Sequence, residues 1–439
     1  MRLPHPLILL LVGVAIAAAL TWTLPAGEYD RRDDEATGRR VVVAGTYHAV
    51  EPAPVGPFGA VVAVPQGFVE AAEVVAVILF VGGAWVVLDR LGTLARLVGA
   101  LVARFRRRGL VAIPVIAFFF ASMGALENMQ EEIIALVPVL LVLGRGLGVD
   151  AVTVVAMSAG AAMIGSAFGP TNPFQAGIAM KLAELPPASA IGLRLAMFAA
   201  GFVVWIGWTL RHAARTRSAP ADDVVEAGAE ASAKDVALFL LLLAPMAFYV
   251  YGALEWGWGF NELSAGFFAA GIAAGLLGGL GVSGTVDAYL DGMQSLLSAA
   301  VLVGVARAIS VVLAEGRVID TVLHGLAAPL GDLPAMTAAF LMVPVHALIH
   351  VFVPSVSGHA VLTMPVLVPL SDLLGISRQV TVLAYQTGAG LTEILTPTNG
   401  ALMAILLAAG VPYQRWARFA IGGVALAVIV GVAGMLAAS

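Results

Sequence analysis

The chain has 439 residues, 60% of them hydrophobic and 12% charged, with a formal net charge of -5 and a mean hydropathy of +0.96. That composition excludes a soluble globular domain. Many apolar runs long enough to cross ~30 Å of hydrocarbon predict an all-α polytopic membrane protein, without the alternation of an outer-membrane barrel, and the absence of cysteine excludes disulfides, thiolate metal sites and cysteine nucleophiles.

Residues 7–24 read as a first transmembrane helix rather than a signal peptide, because the run ends in TLPAGEY without a small-x-small cleavage site. Residues 26–65 read as a long polar loop on the membrane surface, and a second span follows over about 69–88. Leu91, Leu94, Val98, Leu101, Val102 and Phe105 then share one face of an interfacial amphipathic helix. Six arginines between 89 and 108 place this stretch in the cytoplasm. Residues 109–147 contain two apolar arms of roughly 15 residues, ~22 Å each, around Glu127-Asn128-Met129-Gln130-Glu131-Glu132. Arms too short to cross alone predict a re-entrant hairpin whose polar tip reaches the membrane midplane. Its counterpart occupies 335–375, with the tip at Pro354 to His359, behind a second amphipathic stretch from Arg317 to Leu333.

Residues 150–184 would be ~52 Å of continuous helix. Pro170 and Pro173 flank the middle, and proline removes a backbone donor and clashes with the preceding turn, so a helix broken at the midplane is expected. Residues 378–412 repeat that arrangement around Pro397 and Gly400. The remaining spans fall at 188–211, 236–255, 263–282, 292–314 and 418–437, giving nine crossings plus two hairpins. With a cytoplasmic N-terminus, fourteen Lys and Arg lie inside. Outside, the long loop aside, are only Lys181, Arg194, Arg317 and Arg378.

The two breaks match. GPTNPFQ (169–175) and TPTNGALM (396–403) each contain Pro-Thr-Asn, with Asn399 lying 227 positions after Asn172. Across the 35 positions 138–172, the same shift gives eleven identities, including Pro138, Leu147, Gly148 and Ala162. This is an internal duplication, and an odd number of crossings between the hairpins makes the repeats inverted. The expected organisation is a first inverted repeat (1–210), a cytoplasmic linker (211–235), a connecting span (236–262) and a second repeat (263–439).

Inverted repeats, broken helices and polar tips at the midplane describe a secondary transporter. Helix N-termini freed after Asn172 and Asn399 suit a carboxylate. Side-chain oxygens of Thr171, Asn172, Thr398, Asn399, Ser355 and Ser357 are hard ligands suited to sodium. Asn128, Gln130 and Glu131 could contact substrate, whereas Glu127 and Glu132 could equally cap the arms or pair with arginines. His359 is either a proton-sensitive ligand or a histidine satisfied within its hairpin. His346 and His350, one turn apart, lack a third ligand for a metal. Arg307 either balances an anion or pairs locally, and Glu393 either balances a cation or faces the helix bundle. A channel with re-entrant loops is the alternative; an enzyme has no support, since HExxH and G-x-S-x-G are missing.

LPAGEYDR, GTYHAVEP, VARAISVVLAEGRVIDTVLHGL and PSVSGHAVLTMPVLVPL resemble the YfcC and DcuC-type carriers of the ion transporter superfamily, and the likeness covers nearly the whole chain. The resemblance implies an inner-membrane, homodimeric elevator transporter for C4-dicarboxylates or amino acids, including arginine-ornithine exchange. It assigns Asn128, Thr171 and Asn172 to one site and Ser355, Ser357, Thr398 and Asn399 to the other. Asn128 stands where relatives usually have glycine, and the acidic tip tilts the expected substrate toward one with an amino group.

Residues and resemblance together give Asn128, Gln130, Glu131, Thr171, Ser355, Ser357, His359 and Thr398 as expected substrate contacts. Asn128, Thr171, Asn172, Ser355, Thr398 and Asn399 are the expected sodium ligands. A proton is the alternative coupling ion, and no other cofactor is expected. The partners are a small-molecule substrate and the lipid bilayer, with no nucleic acid. Alanine at Asn172 or Asn399 is expected to weaken sodium-dependent binding and leave the fold intact.

Overall fold

The computed structural model describes residues 6–34, 39–97, 100, 109–170, 172–186, 189–218, 231–256 and 258–439. Helices dominate, because a chain in hydrocarbon must satisfy its backbone groups internally. Among the described residues, eight helices are long and apolar enough to cross a membrane.

The first half contains α1 (Pro6–Thr23), α2 (Pro57–Glu70), α3 (Ala72–Arg90), α4 (Gly109–Glu127), α5 (Glu131–Leu147), α6 (Ala151–Phe168, with a π turn at Ala156–Gly160), α7 (Ile178–Leu182) and α8 (Ile191–Thr216). The second contains α9 (Ala233–Glu255), α10 (Phe260–Gly278), α11 (Gly281–Glu315), α12 (Ile319–Ala327), α13 (Ala335–Phe352), α14 (Val356–Leu374), α15 (Arg378–Tyr385), α16 (Gly400–Ala408) and α17 (Tyr413–Ala437).

Three expectations about boundaries change. The loop expected at 26–65 folds into two short antiparallel pairs, β1 (Gly27–Glu28) with β4 (His48–Ala49) and β2 (Arg31–Asp34) with β3 (Arg39–Val42), and ends in α2. Pro57 sits in the first turn of α2, where its missing donor costs nothing. Gly67 lets α2 press onto α11: a Cβ there would lie 2.4 Å from Gly304 O. Second, the polar stretch before 292 is helical, so α11 runs unbroken for 35 residues, ~52 Å. Third, the hairpin arms absorb most of the expected tips, leaving 128–130 between α4 and α5 and 353–355 between α13 and α14. The first amphipathic stretch and its arginines fall largely outside the described residues.

The duplication reappears as repeated local geometry. Gly148 ends α5 and Gly375 ends α14 in the left-handed region, with φ of 71° and 70°, which glycine enters without a Cβ penalty. Two residues on, Asp150 caps α6 by accepting from Thr153 N, and Ser377 caps α15 by accepting from Val380 N. Each following helix contains a π turn, Ala156–Gly160 or Gln386–Gly390, and then breaks. α6 forms the centre of the molecule, with 94% of its apolar window buried, against 28% for α8. Gly124 and Gly165 let α4 and α6 touch: a Cβ on either would lie 1.9 Å from a backbone carbonyl of the other helix.

Asp150 also receives Arg415 at 2.7 Å and faces His212 at 3.3 Å, joining α6, α8 and α17. Burial works to raise its carboxyl, but hydrogen bonds from Thr153 and the nearby His212 hold it below the usual carboxylate range. Asp150→Ala is expected to cost about 1–2 kcal/mol through the lost cap, read as a lower apparent melting temperature. Because the folded pKa is depressed, the carboxylate's contribution is present above its unfolded value of about 4 and disappears as pH falls below that. Wild type and variant should therefore converge in melting temperature only below about pH 4.

Candidate transport site

α4 ends where Asn128 takes a positive φ of 63°, a conformation asparagine tolerates better than most residues. The turn aims the Asn128 side chain at the first break. There Ser166, near the end of α6, hydrogen bonds to Asn128 Oδ1 and, at 2.9 Å, to Gln175 Oε1. Asn172 closes the group. Its Nδ2 donates to Gly124 O (2.9 Å), Ser166 Oγ (3.1 Å) and Asn128 Oδ1 (3.3 Å), and its Oδ1 accepts from the backbone N–H of Phe174 and Gln175. One fully buried asparagine thus caps the turn restarting the helix and binds it to the hairpin.

The second break has the same capping residue in different company. Asn399 Oδ1 accepts from Leu402 N at 3.1 Å, and its Nδ2 reaches Gln130 Oε1 and Glu393 O, both at 3.3 Å. Gln130 Nε2 donates to the Glu393 carboxylate, so the first tip reaches across to the second break. Ser355 caps α14 by accepting from Gly358 N, and Thr398 pairs with Thr396 at 2.8 Å.

A cavity of about 600 Å³ opens between these elements and α2, α3, α10 and α11. The first tip contributes Asn128, Gln130 and Glu131; the second contributes Ser355 and Ser357; the restart of the first broken helix contributes Phe174, and the second break Glu393, Thr398 and Asn399. Seven expected residues are therefore brought together. Asn172 lies behind the wall, holding it. His359 does not reach the cavity: it is fully buried, with Nε2 2.8 Å from His346 Nδ1. Thr171 lies outside the described residues. A comparable groove between α1 and α2, about 680 Å³, is lined almost entirely by apolar side chains and offers no polar grip for a solute.

Sequence reasoning missed Ser166 and Gln175, single polar residues in apolar runs with no periodic signal. It also missed Glu70 and Glu73, which line the cavity from α2 and α3. Arg307 pairs with Glu70 at 2.8 Å, and Glu73 accepts from Asn261 at 3.1 Å. Glu393 faces both the cavity and His350, whose Nε2 is 3.5 Å from Glu393 Oε1. Among the described residues, four carboxylates therefore surround a space holding one cation, already paired.

Two arginines brace the broken helices. Arg378 binds Asp372 through two nitrogens and Glu184 at 2.6 Å. These carboxylates, Asp372 first, hold its guanidinium above the usual range. Arg194 is buried at the start of α8 and donates to Ser189 O and Gln386 Oε1, while Gln386 Nε2 donates to Ala167 O.

A multi-pass helical protein with two polar hairpin tips and two helix breaks around one cavity belongs to the class of membrane transporters. The chain belongs to the DcuC family, C4-dicarboxylate anaerobic carrier, whose pattern it matches over residues 3–439. It is 28% identical to "Putative basic amino acid antiporter YfcC" of Escherichia coli (strain K12), across 95% of this chain and 92% of that protein. It is 24% identical to an uncharacterized protein of Haemophilus influenzae, across 98% and 95% of the two chains. Among solved structures it resembles the Alcanivorax borkumensis YdaH transporter (TM-score 0.43, 19% identity, 98% of each chain) and Neisseria gonorrhoeae MtrF (TM-score 0.44, 17% identity, 99% and 94%).

Proposed function

We propose that the protein is a cation-coupled or exchanging secondary transporter for a small metabolite carrying both a carboxylate and an amino group. One observation carries this reading: both tips and the restarts of both broken helices meet in a single cavity. The substrate carboxylate is received by Ser355, Ser357 and the helix N-termini of α14 and α16, where unpaired N–H groups favour an anion. The amino group is received on the acidic side by Glu131 and Glu393. We read sodium as the coupling ion, entering beside Asn128 and Asn172 at the first break.

The family name speaks of C4-dicarboxylates and the Escherichia coli relative's name of basic amino acids. The acidic lining favours the latter class, since a dicarboxylate would face Glu70, Glu73, Glu131 and Glu393 with one paired arginine for relief. We read the two halves as inverted repeats that expose the cavity alternately to the two sides of the inner membrane, with nine crossings and a cytoplasmic N-terminus, and the assembly as a homodimer.

Counterflow in proteoliposomes with labelled arginine, ornithine and fumarate tests the reading. Saturable arginine or ornithine exchange is expected; no saturable flux of any of the three sinks it. Glu131→Gln should lower apparent affinity for arginine about 10- to 100-fold, the loss of one charged contact, measured as KM for uptake.

A further inference from the structure

The second half contains a buried group of ionisable residues that the first half lacks. His346 and His350 lie on α13 and His359 on α14, all fully buried. His346 and His359 are joined at 2.8 Å, and the ring centroids of His350 and His359 are 5.4 Å apart. Tyr385 of α15 packs on His346 and His359 and donates its hydroxyl to Val356 O. Among the described residues, His346 Nε2, His359 Nδ1 and both His350 nitrogens have no hydrogen-bond partner. The 3.5 Å approach of His350 Nε2 to Glu393 Oε1 is ion-pair distance, longer than a good hydrogen bond. Unsatisfied polar atoms of this kind are costly in a water-free interior and call for an explanation.

The scaffold does not require them. α4, the matching arm of the first hairpin, has no ionisable residue from Leu110 to Leu126, and position 123, 227 before His350, is methionine. Six residues before its capping asparagine the first half has Ser166, where the second has Glu393. The same architecture is thus built once without these groups and once with them. Other ionisable side chains near α13 are engaged elsewhere: Asp320 with Arg31, Asp372 with Arg378, Arg307 with Glu70. Glu132 accepts from Gln130 N, and Glu131 faces the cavity.

We propose that His350 and Glu393, backed by His346 and His359, form a proton-binding site at which the proton and the substrate's amino group are alternatives. This rests on the transport reading above. The proton rides on His350 Nε2, paired with the Glu393 carboxylate. The incoming ammonium group takes that carboxylate as the proton leaves to the cavity. A proton returning to His350 from the other side of the membrane displaces the ammonium, so proton and cationic substrate move in opposite directions.

Two measurements on the full chain test the site, with His350→Met, which copies the residue at position 123, and His350→Gln as a second variant should methionine impair folding. In proteoliposomes, an inside-acid gradient of one pH unit should raise wild-type arginine accumulation about tenfold, the yield of one exchanged proton. His350→Met should keep equal-pH arginine counterflow and lose that gain; a variant that still accumulates arginine tenfold overturns the proposal. Independently of any substrate, the melting temperature of the detergent-purified wild type should change between about pH 5 and pH 8, where imidazole titrates, and this change should shrink in both variants. Superimposable profiles overturn the proposal even if transport is observed. Distinct profiles without flux of any probe leave the proton site standing and count against the transport reading alone.

Discussion

Replacing Asn172 by alanine is expected to cost the protein its fold around the first break. The side chain makes five hydrogen bonds, three donated and two accepted, and is fully buried. Alanine leaves Gly124 O, Ser166 and the N–H groups of Phe174 and Gln175 without that partner. At about 1–3 kcal/mol for each buried group orphaned, the loss is on the order of 5 kcal/mol. The apparent melting temperature should fall by about 5 °C, with aggregation on size exclusion. Asn399→Ala, losing one cap bond and two contacts at 3.3 Å, should fall by less than half as much. A monodisperse Asn172→Ala protein melting with wild type would contradict the network. The expectation that both substitutions spare the fold is thereby revised for Asn172.

The second large effect is expected at the crossing of α4 and α6. A Cβ on Gly124 would lie 1.9 Å from Ala162 O, and one on Gly165 would lie 1.9 Å from Ala121 O. The obstacle in each case is a helix carbonyl, which cannot rotate away, so even alanine forces the helices apart. Small residues at such crossings allow backbones to approach in a membrane, and overpacking them costs about 1–3 kcal/mol, toward the upper end where backbone is the obstacle. Separation would also pull Asn128 away from Ser166, so Gly165→Ala should reduce both melting temperature and arginine counterflow. Gly124→Ala combined with Gly165→Ala should cost less than the sum, since the first substitution opens the gap for the second. Additive losses would show that the two contacts yield separately.

The sequence foretold most where backbone geometry leaves a chemical signature. Pro-Thr-Asn twice, and Leu-Gly before each broken helix, mark breaks and left-handed helix ends that few other residues can make. The tips were legible because polar residues interrupt apolar arms, although helix consumed all but Asn128, Met129 and Gln130 of the first and all but Pro354 and Ser355 of the second. α2 escaped notice because Gly56, Pro57, Gly59 and Pro65 look like loop punctuation, while tertiary packing on α11 decides the outcome. The histidine group escaped because its third member crosses the tip from the other arm. Ser166 gave no sign, as a lone serine in an apolar helix usually satisfies its own backbone.

α11 offers a practical opening. At ~52 Å it exceeds a ~30 Å hydrocarbon layer by several turns, and its first third carries Asp287 and Asp291, the latter paired with Arg90 at 2.5 Å. The same helix lines the cavity with Val303 and Arg307 and packs against α16. Exposed Asp287 is therefore a reporter position on the same rigid rod as the cavity wall. Because the chain has no cysteine, a single thiol placed there and another on an exposed hairpin residue such as Leu373 would accept a spin-label pair without background labelling, and the distance between them would track the hairpins through a transport cycle.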